Sequence, residues 1–170
     1  MNILSIQSSV AYGHVGNAAA TLPLQRLGHE VWGVHTVQFS NHPGHGGWRG
    51  RVFAAAEVAE VLAGIADRGL LVRCDAILSG YLGEAATGDA VLATVAAARR
   101  ANPSVIYCCD PVMGDDRTGL FVRTGVPAFF MERGVPAADI VTPNRFELEQ
   151  LIGSPIRTVA EALGGARALI

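Results

Sequence analysis

Short apolar runs alternate with helical segments along this chain of 170 residues. The runs are rich in β-branched and aromatic residues, as in 31–37 and 105–109, and the segments between them are amphipathic or rich in alanine. Because such alternation is typical of right-handed βαβ units, it predicts a mostly parallel central sheet with helices on both faces. We therefore expect a single α/β domain over residues 1–170.

These runs and segments define the expected elements. We expect strands over 3–7, 31–37, 76–78, 105–109 and 140–141, and helices over 16–27, 54–66, 88–101, 126–133, 144–152 and 159–169. Pro23 is expected to kink the first helix. The sequence shows neither an internal repeat nor a linker.

Composition narrows the class of protein. Half of the residues are hydrophobic, and a chain of this length buries about 70% of the surface that its unfolded form exposes. The net charge is −2 with acids and bases interspersed, which gives no electrostatic footprint for nucleic acid or an anionic membrane. All 13 basic residues are arginines, so a Walker loop with its lysine is excluded from this stretch. We expect small-molecule partners.

The cysteines and the first residues of the chain indicate in which cellular compartment the protein is expected. Neighbouring residues of a strand point to opposite faces, so Cys108 and Cys109 are expected to be apolar fillers rather than a disulfide or a metal pair. With Cys74 they make an odd count, which fits a reducing compartment. The first residues indicate a strand rather than a signal peptide, and no apolar run reaches spanning length, so we expect a cytoplasmic protein.

A lone carboxylate, Asp110, follows the apolar run 105–109. If this run is a buried parallel strand, Asp110 emerges at its carboxyl end, where open α/β sheets bind ligands. Pro111 fixes the turn and Gly114 frees the loop beyond it. The pattern indicates either a site for a charged ligand or an aspartate that merely ends a strand and caps a turn.

A second polar turn is expected after the first strand. Ser8 and Ser9 follow that strand, and residues 12–17 lead into a helix whose free amides can hold an anion or a polar substrate edge. The glycines there lack the spacing of a dinucleotide fingerprint. The alternative is that Ser8 and Asn17 are simply turn and cap residues.

The loop over 40–50 holds five glycines or prolines, two histidines and Trp48. Such a segment is a candidate lid that closes over a ligand and excludes water. A metal site formed by His35, His42 and His45 is a weaker alternative, because no cysteine or carboxylate joins them at ligand spacing. A plain solvated loop is the third interpretation.

Residues 142–147 lie between a predicted strand and a predicted helix. Asn144 and Glu147 have the spacing of a capping box. Alternatively, Glu147 faces the same sheet edge as Asp110, and the two carboxylates hold Mg²⁺ through water, as that strongly hydrated ion prefers.

Six segments of the chain, in this order and spacing, resemble pyridoxal kinases, which are members of the ribokinase-like superfamily. They are Ile6-Gln7-Ser8, Tyr12-Gly13-His14-Val15-Gly16-Asn17, Thr36-Val37-Gln38-Phe39-Ser40-Asn41-His42, Ser79-Gly80-Tyr81, Cys109-Asp110-Pro111-Val112-Met113-Gly114 and Thr142-Pro143-Asn144-x-x-Glu147. The segment 37–42 is the most specific. The last two segments are shared with hydroxymethylpyrimidine kinases.

The resemblance implies a ribokinase-like fold and phosphorylation of the 5′-hydroxymethyl group of pyridoxal by ATP with Mg²⁺. It implies that substrate is bound by Ser8, Val15, Phe39, Pro43, Gly44 and Tyr81. It also implies that Asp110, Thr142 and Glu147 bind ATP, that Asp110 and Glu147 serve Mg²⁺, and that Asn144 supports this edge. A monovalent cation and a homodimer are further expectations from the family.

Two departures accompany the resemblance. Pro43 stands where family members often carry threonine, which removes a hydroxyl and an amide donor from the lid. The family places its anion hole and general base beyond Ile170, so we expect a fold that is incomplete at its C-terminus and a catalytic base outside this stretch. The alternatives are a hydroxymethylpyrimidine-type or other ribokinase-like kinase and a non-catalytic fragment that binds pyridoxal.

Overall fold

A computed structural model describes residues 1–169 of the chain. The strands are β1 (Asn2–Tyr12), β2 (Glu30–Asn41), β3 (Gly50–Val52), β4 (Ala76–Ser79), β5 (Ile106–Cys109), β6 (Gly114–Asp115), β7 (Gly119–Leu120) and β8 (Ile140–Val141). The helices are α1 (Asn17–Arg26), α2 (Ala55–Asp67), α3 (Ala85–Ala101), α4 (Val126–Phe129), α5 (Arg145–Ile152) and α6 (Val159–Ala168). None of these helices is both long and apolar enough to cross a bilayer.

The main sheet has six strands in the order β3-β2-β1-β4-β5-β8. All its neighbours pair in parallel except β3, which runs antiparallel along the outer edge of β2. The strands β6 and β7 form a separate antiparallel hairpin beyond β5. The predicted α/β architecture with a mostly parallel sheet is confirmed.

Helices cover the sheet on opposite faces. From β1 the chain crosses to β2 on one side, and from β2 it returns to β4 on the other side of β1. Because crossovers between parallel strands are right-handed, α1 lies on one face of the sheet and α2 and α3 lie on the other. On the α2 and α3 face, Leu4 and Ile6 of β1 join Leu62 and Val95 in the main apolar core. On the α1 face, the buried Asn17 side chain donates to the Val34 carbonyl oxygen at 3.1 Å.

The first strand is longer than predicted. It was expected to end at residue 7, but it continues to Tyr12 beside β2, with Val10 paired to Phe39. The interpretation of Ser8 and Ser9 as turn residues after the strand is therefore wrong. The register shifts between Gln7 and Ser9, so Ser8 lies at an irregularity within the strand.

The expected lid over 40–50 is the end of a β-hairpin. The strand β2 continues through Asn41, and β3 returns antiparallel to it, with Gly50 paired to Phe39. A short 3₁₀ turn, Pro43–His45, forms the hairpin end. Strand β3 was missed because a three-residue strand that begins with glycine gives no periodic signal.

The other differences are small. Helix α3 begins at Ala85 instead of residue 88, and the helix expected over 126–133 is α4 followed by one π-helical turn, Phe130–Gly134. Pro23 lies inside α1. Cys109 is fully buried on the core face of β5, and burial raises its pKa to about 11, which leaves an inert thiol.

Candidate functional site

A cavity of about 700 Å³ opens where β4 and β5 end, beside the second half of β1 and between the β2–β3 hairpin and the β6–β7 hairpin. This is the carboxyl edge of the parallel sheet, the edge at which open α/β folds bind ligands. Its walls are formed by Gln7, Ser8, Val10, Val15, Gly16, Phe39, His42, Pro43, Gly44, Gly46, Trp48, Tyr81, Asp110, Val112, Asp115, Arg117, Thr118 and Phe121.

Ser8 is held by the backbone that leads into α1. It is buried, and a methyl group added to Gly16 would lie 2.2 Å from the Ser8 carbonyl oxygen and 2.3 Å from Oγ. Gly16 also has φ near +53°, which a residue with a side chain rarely adopts. The glycine therefore allows the start of α1 to approach Ser8, so that both residues line the cavity.

Aromatic side chains form one wall. Phe39 and Trp48 stack with their ring centroids 3.9 Å apart across the β2–β3 hairpin. Tyr81 follows β4, and its carbonyl oxygen accepts a hydrogen bond from Thr36 Oγ1 at 2.5 Å. Burial raises the pKa of the Tyr81 hydroxyl, which therefore stays protonated near neutral pH. The wall presents flat apolar faces with one hydroxyl.

The hairpin end is packed against the turn after β1. His42 Nδ1 accepts a hydrogen bond from the Gly44 amide at 3.2 Å. The rings of Tyr12 and His45 lie 5.6 Å apart, and a methyl group on Gly13 would lie 3.5 Å from the His42 Cβ. These contacts hold the hairpin end whose Pro43 and Gly44 line the cavity.

Asp110 lies at the cavity floor, one residue after β5, as predicted. Its Oδ1 accepts a hydrogen bond from Thr142 Oγ1 at 3.1 Å. Burial raises the pKa of this carboxyl, and the Thr142 bond opposes the rise only in part. Within residues 1–169, Oδ2 has no hydrogen-bond partner, and Asp110 is one of the residues that line the cavity.

Glu147 lies behind Asp110 and is not among the residues that line the cavity. Its Oε1 accepts from the Met113 amide at 3.1 Å and its Oε2 from the Asn144 amide at 2.9 Å, while Asn144 Oδ1 accepts from the Glu147 amide. The capping box is thus present. Burial raises the pKa of Glu147, and the charge of Asp110 adds to the rise.

The donor set suits a hydrated Mg²⁺ that Asp110 and Glu147 hold through water, as the sequence predicts. Burial makes both carboxyls costly to ionise, and a cation beside them would lower that cost. Their oxygen atoms are also the type of ligand that Mg²⁺ prefers. Glu147 already binds two amides, so its part is limited to charge or to a bridging water. No group of three histidine, cysteine, aspartate or glutamate side chains suited to a metal occurs among residues 1–169.

The structure brings most of the predicted site residues together. Those that line the cavity are Ser8, Val15, Phe39, Pro43, Gly44, Tyr81 and Asp110. Thr142 reaches the site through its bond to Asp110, whereas Asn144 donates to the Gly114 carbonyl oxygen at 2.9 Å and supports the loop. The general base expected beyond Ile170 lies outside the described residues. The binding roles themselves stay predictions.

Sequence reasoning missed the contribution of the β6–β7 hairpin. Its turn adds Asp115, Arg117 and Thr118 to the cavity wall, and Phe121 follows it. The sequence did contain a hairpin signal, an Asp at the start of this segment followed by Gly119. In the structure Gly119 has φ near +67°. The Asp115 Oδ1 accepts from the Arg117 amide, the Thr118 amide and the Thr118 hydroxyl, and these bonds fix the turn.

Comparison with curated proteins gives close relatives over nearly the whole chain. The pyridoxal kinase PdxY of Rubrobacter xylanophilus is 60% identical over 170 residues, which are 100% of this chain and 59% of the relative. The pyridoxal kinase PdxY of Deinococcus radiodurans is 60% identical over 168 residues, which are 99% of this chain and 56% of the relative. The chain therefore spans less than two thirds of the length of the curated relatives it matches.

Solved structures and family models give results that agree with the curated relatives. Pyridoxal kinase from Leishmania donovani in complex with ADP and pyridoxamine superposes with a TM-score of 0.93 at 35% identity, covering 99% of this chain and 58% of that one. The fold is thus the ribokinase-like fold of pyridoxal kinases. The family model described as phosphomethylpyrimidine kinase matches residues 55–170, more than half of the chain. This chain belongs to the phosphomethylpyrimidine kinase family.

Proposed function

We propose that the protein takes part in the ATP-dependent phosphorylation of the 5′-hydroxymethyl group of pyridoxal, giving pyridoxal 5′-phosphate. The observation that carries the proposal is the single cavity in which six predicted substrate residues meet Asp110. The relatives named pyridoxal kinase and the solved kinases in complex with ADP and pyridoxamine support it. Related B6 vitamers are proposed as further substrates.

The cavity walls suit a flat, mostly apolar ring with a few polar groups. Phe39 and Tyr81 offer aromatic faces, and Val15 offers an aliphatic one. Ser8 carries a hydroxyl that forms a hydrogen bond with a polar atom of the pyridine ring. Pro43 and Gly44 line the cavity from the hairpin end, which in this proposal acts as a lid that excludes water from the reacting groups. Phosphoryl transfer needs such positioning more than covalent help from the protein.

The acidic edge is proposed as the nucleotide and metal side of the site. When bound, Mg²⁺ neutralises charge on the phosphates of ATP. Asp110 and Glu147 would hold it through water, Thr142 orients Asp110 through its hydroxyl, and Glu147 adds negative charge behind it. Asn144 holds the loop at Gly114. A monovalent cation near these carboxylates, a cytoplasmic location and a homodimer are also proposed, on the family resemblance.

A hydroxymethylpyrimidine kinase is the second candidate, because the matching family model is described as phosphomethylpyrimidine kinase. Both substrates carry a hydroxymethyl group on a six-membered nitrogen heterocycle. The residues of the more specific β2 end, Phe39 and His42, favour the pyridine substrate through the resemblance to pyridoxal kinases.

The test is a kinase assay on the complete gene product with ATP and Mg²⁺. Pyridoxal and hydroxymethylpyrimidine are offered separately, and phosphorylated product is measured by mass. We expect kcat/KM to be at least about 100-fold higher for pyridoxal, a difference that a pocket reaches when its polar groups match one substrate and not the other. Preference for the pyrimidine would transfer the assignment to the second candidate, and no product from either would reject both.

A further inference from the structure

Arg117 is the only lysine or arginine that lines the cavity within residues 1–169. The rest of the wall is apolar, hydroxyl-bearing, amide or acidic, apart from His42. A phosphate group that enters the cavity therefore meets one permanent positive charge, on the turn between β6 and β7. This residue played no part in the site predicted from the sequence.

The position of Arg117 is set by contacts on both sides of the cavity. The turn that carries it is fixed by the three hydrogen bonds to Asp115 Oδ1, one of which comes from the Arg117 amide. On the other side, a methyl group added to Gly44 would lie 3.6 Å from Arg117 Nη2. The guanidinium thus reaches from the β6–β7 hairpin to the end of the β2–β3 hairpin.

The charge of Arg117 is left for an outside anion. Six ion pairs form among residues 1–169, and Arg117 takes part in none of them. The pKa of Asp115 is lowered mainly by the bonds from the Thr118 hydroxyl and amide, and the charge of Arg117 is one of the smaller causes, but no ion pair joins the two side chains. By contrast, Arg145 on α5 is engaged by Asp116 and Glu149.

We infer that Arg117 binds the terminal phosphoryl group of the nucleoside triphosphate during its transfer. The inference rests on the proposed function and adds a phosphate ligand to the same site. A guanidinium presents a planar fork of donors that matches phosphate oxygens, and it stays charged throughout. Because Arg117 lies beside Gly44, binding of the phosphoryl group also holds the β2–β3 hairpin over the cavity.

The reaction defines what Arg117 does. The bond between the terminal phosphorus and the bridging oxygen breaks, and that oxygen keeps the electron pair and leaves as part of the nucleoside diphosphate. The substrate hydroxyl oxygen forms the new bond to phosphorus, and its proton passes to a base. Arg117 neither gives nor takes a proton, because it only stabilises charge on the three outer oxygens.

The test compares Arg117→Gln and Arg117→Lys with Arg100→Gln in the complete gene product. Arg100 is also an exposed arginine outside the ion pairs, but it lies in the last turn of α3, at the opposite edge of the sheet. With Arg117→Gln we expect kcat to fall about 10- to 1000-fold, the range for one electrostatic element, while the KM for pyridoxal changes less than 2-fold. Arg117→Lys should recover part of the rate, and Arg100→Gln should match the parent.

Calorimetry with MgATP and MgADP separates this inference from the proposed function. We expect Arg117→Gln to lose about 10-fold in affinity for ATP, equal to about 1.4 kcal/mol, with ADP binding unchanged. An unchanged rate and an unchanged ATP affinity overturn the inference and leave the kinase assignment in place. If the parent phosphorylates no pyridoxal, the proposed function fails and the ATP titration alone decides the role of Arg117. Failure of the parent to bind either nucleotide overturns both.

Discussion

At the scale of single residues, Asp110 is the group on which the chemistry of this site most depends. Asp110→Asn keeps the oxygen that accepts from Thr142 and removes the charge. We expect kcat in the complete gene product to fall about 10- to 1000-fold, the effect of one electrostatic element, with pyridoxal affinity nearly intact. Initial rates over a Mg²⁺ titration check this. A parental rate at saturating Mg²⁺ would remove Asp110 from the metal site.

The same variant is expected to stabilise the metal-free protein. Burial raises the pKa of Asp110 in the folded state, so its contribution to stability is full below the ordinary Asp pKa near 3.8 and is lost as pH rises through the raised value. At pH 7 the ionised group is therefore a cost that Asn removes. We expect a higher Tm than the parent at pH 7 in EDTA, with the difference vanishing at acid pH, by calorimetry. A lower Tm at pH 7 would contradict this account.

Ser8 tests the substrate side of the cavity. Ser8→Ala removes one hydroxyl from a buried position without adding volume. We expect pyridoxal affinity to weaken by about 1 to 2 kcal/mol, the cost of leaving a polar ring atom without its hydrogen bond. Calorimetry with pyridoxal measures the loss, with ATP affinity as the internal control. If pyridoxal binds the variant and the parent equally, Ser8 serves only the strand.

At the scale of elements, the cavity depends on how closely α1 approaches β1. Gly16→Ala would place a methyl group 2.2 Å from the Ser8 carbonyl oxygen at a φ that alanine disfavours. We expect a loss of about 2 to 4 kcal/mol of stability, together with loss of pyridoxal binding, because Ser8 or α1 must shift.

The matched control is Gly64→Ala in the middle of α2. A methyl group there meets nothing within 4 Å, so the helix gains up to about 1 kcal/mol from the better propensity of alanine. Urea unfolding of both variants gives the two free energies. Equal stabilities for the two variants would show that the α1 contact does not constrain the fold.

The elements also show where sequence reasoning succeeds. The helices α2, α5 and α6 were placed to within a residue or two, because amphipathic spacing and a capping residue such as Asn144 are local signals. The end of β1 was predicted too early, because Ser8 and Ser9 favour turns and only pairing with β2 keeps them extended. The β6–β7 hairpin, which carries Arg117, was also missed, because its strands have only two residues each and are defined by their pairing.

At the scale of the whole molecule, the sheet order explains why distant segments form one site. Strands β1, β4 and β5 are adjacent and parallel, so Ser8, Tyr81 and Asp110 come to one edge from three parts of the sequence. The two hairpins then close the sides. The edge shared by Asp110 and residues 142–147 was one of two interpretations of the sequence, and Phe39 and Tyr81 were expected in the site from the family resemblance. Arg117 and the contacts between the hairpins required the three-dimensional packing.

The polypeptide of 170 residues, tested by itself, is expected to show no ATP-dependent phosphorylation of pyridoxal. Its cavity offers no well-placed base among residues 1–169. Bonds from Thr118, first its hydroxyl and then its amide, lower the pKa of Asp115, and Nδ1 of His42 accepts from Gly44. Burial keeps Tyr81 protonated, and Asp110 is proposed to serve the cation instead.

The measurement is product formation by the purified 170-residue chain, free of host kinases, alongside pyridoxal binding by calorimetry. We expect binding without turnover, since the walls that contact the ring lie within these residues. The control is the same assay after adding a polypeptide that corresponds to the remaining two fifths or so of the Rubrobacter xylanophilus relative. Turnover by the 170 residues alone would show that Asp110 or His42 takes the proton and would require the division of roles within the cavity to be redrawn.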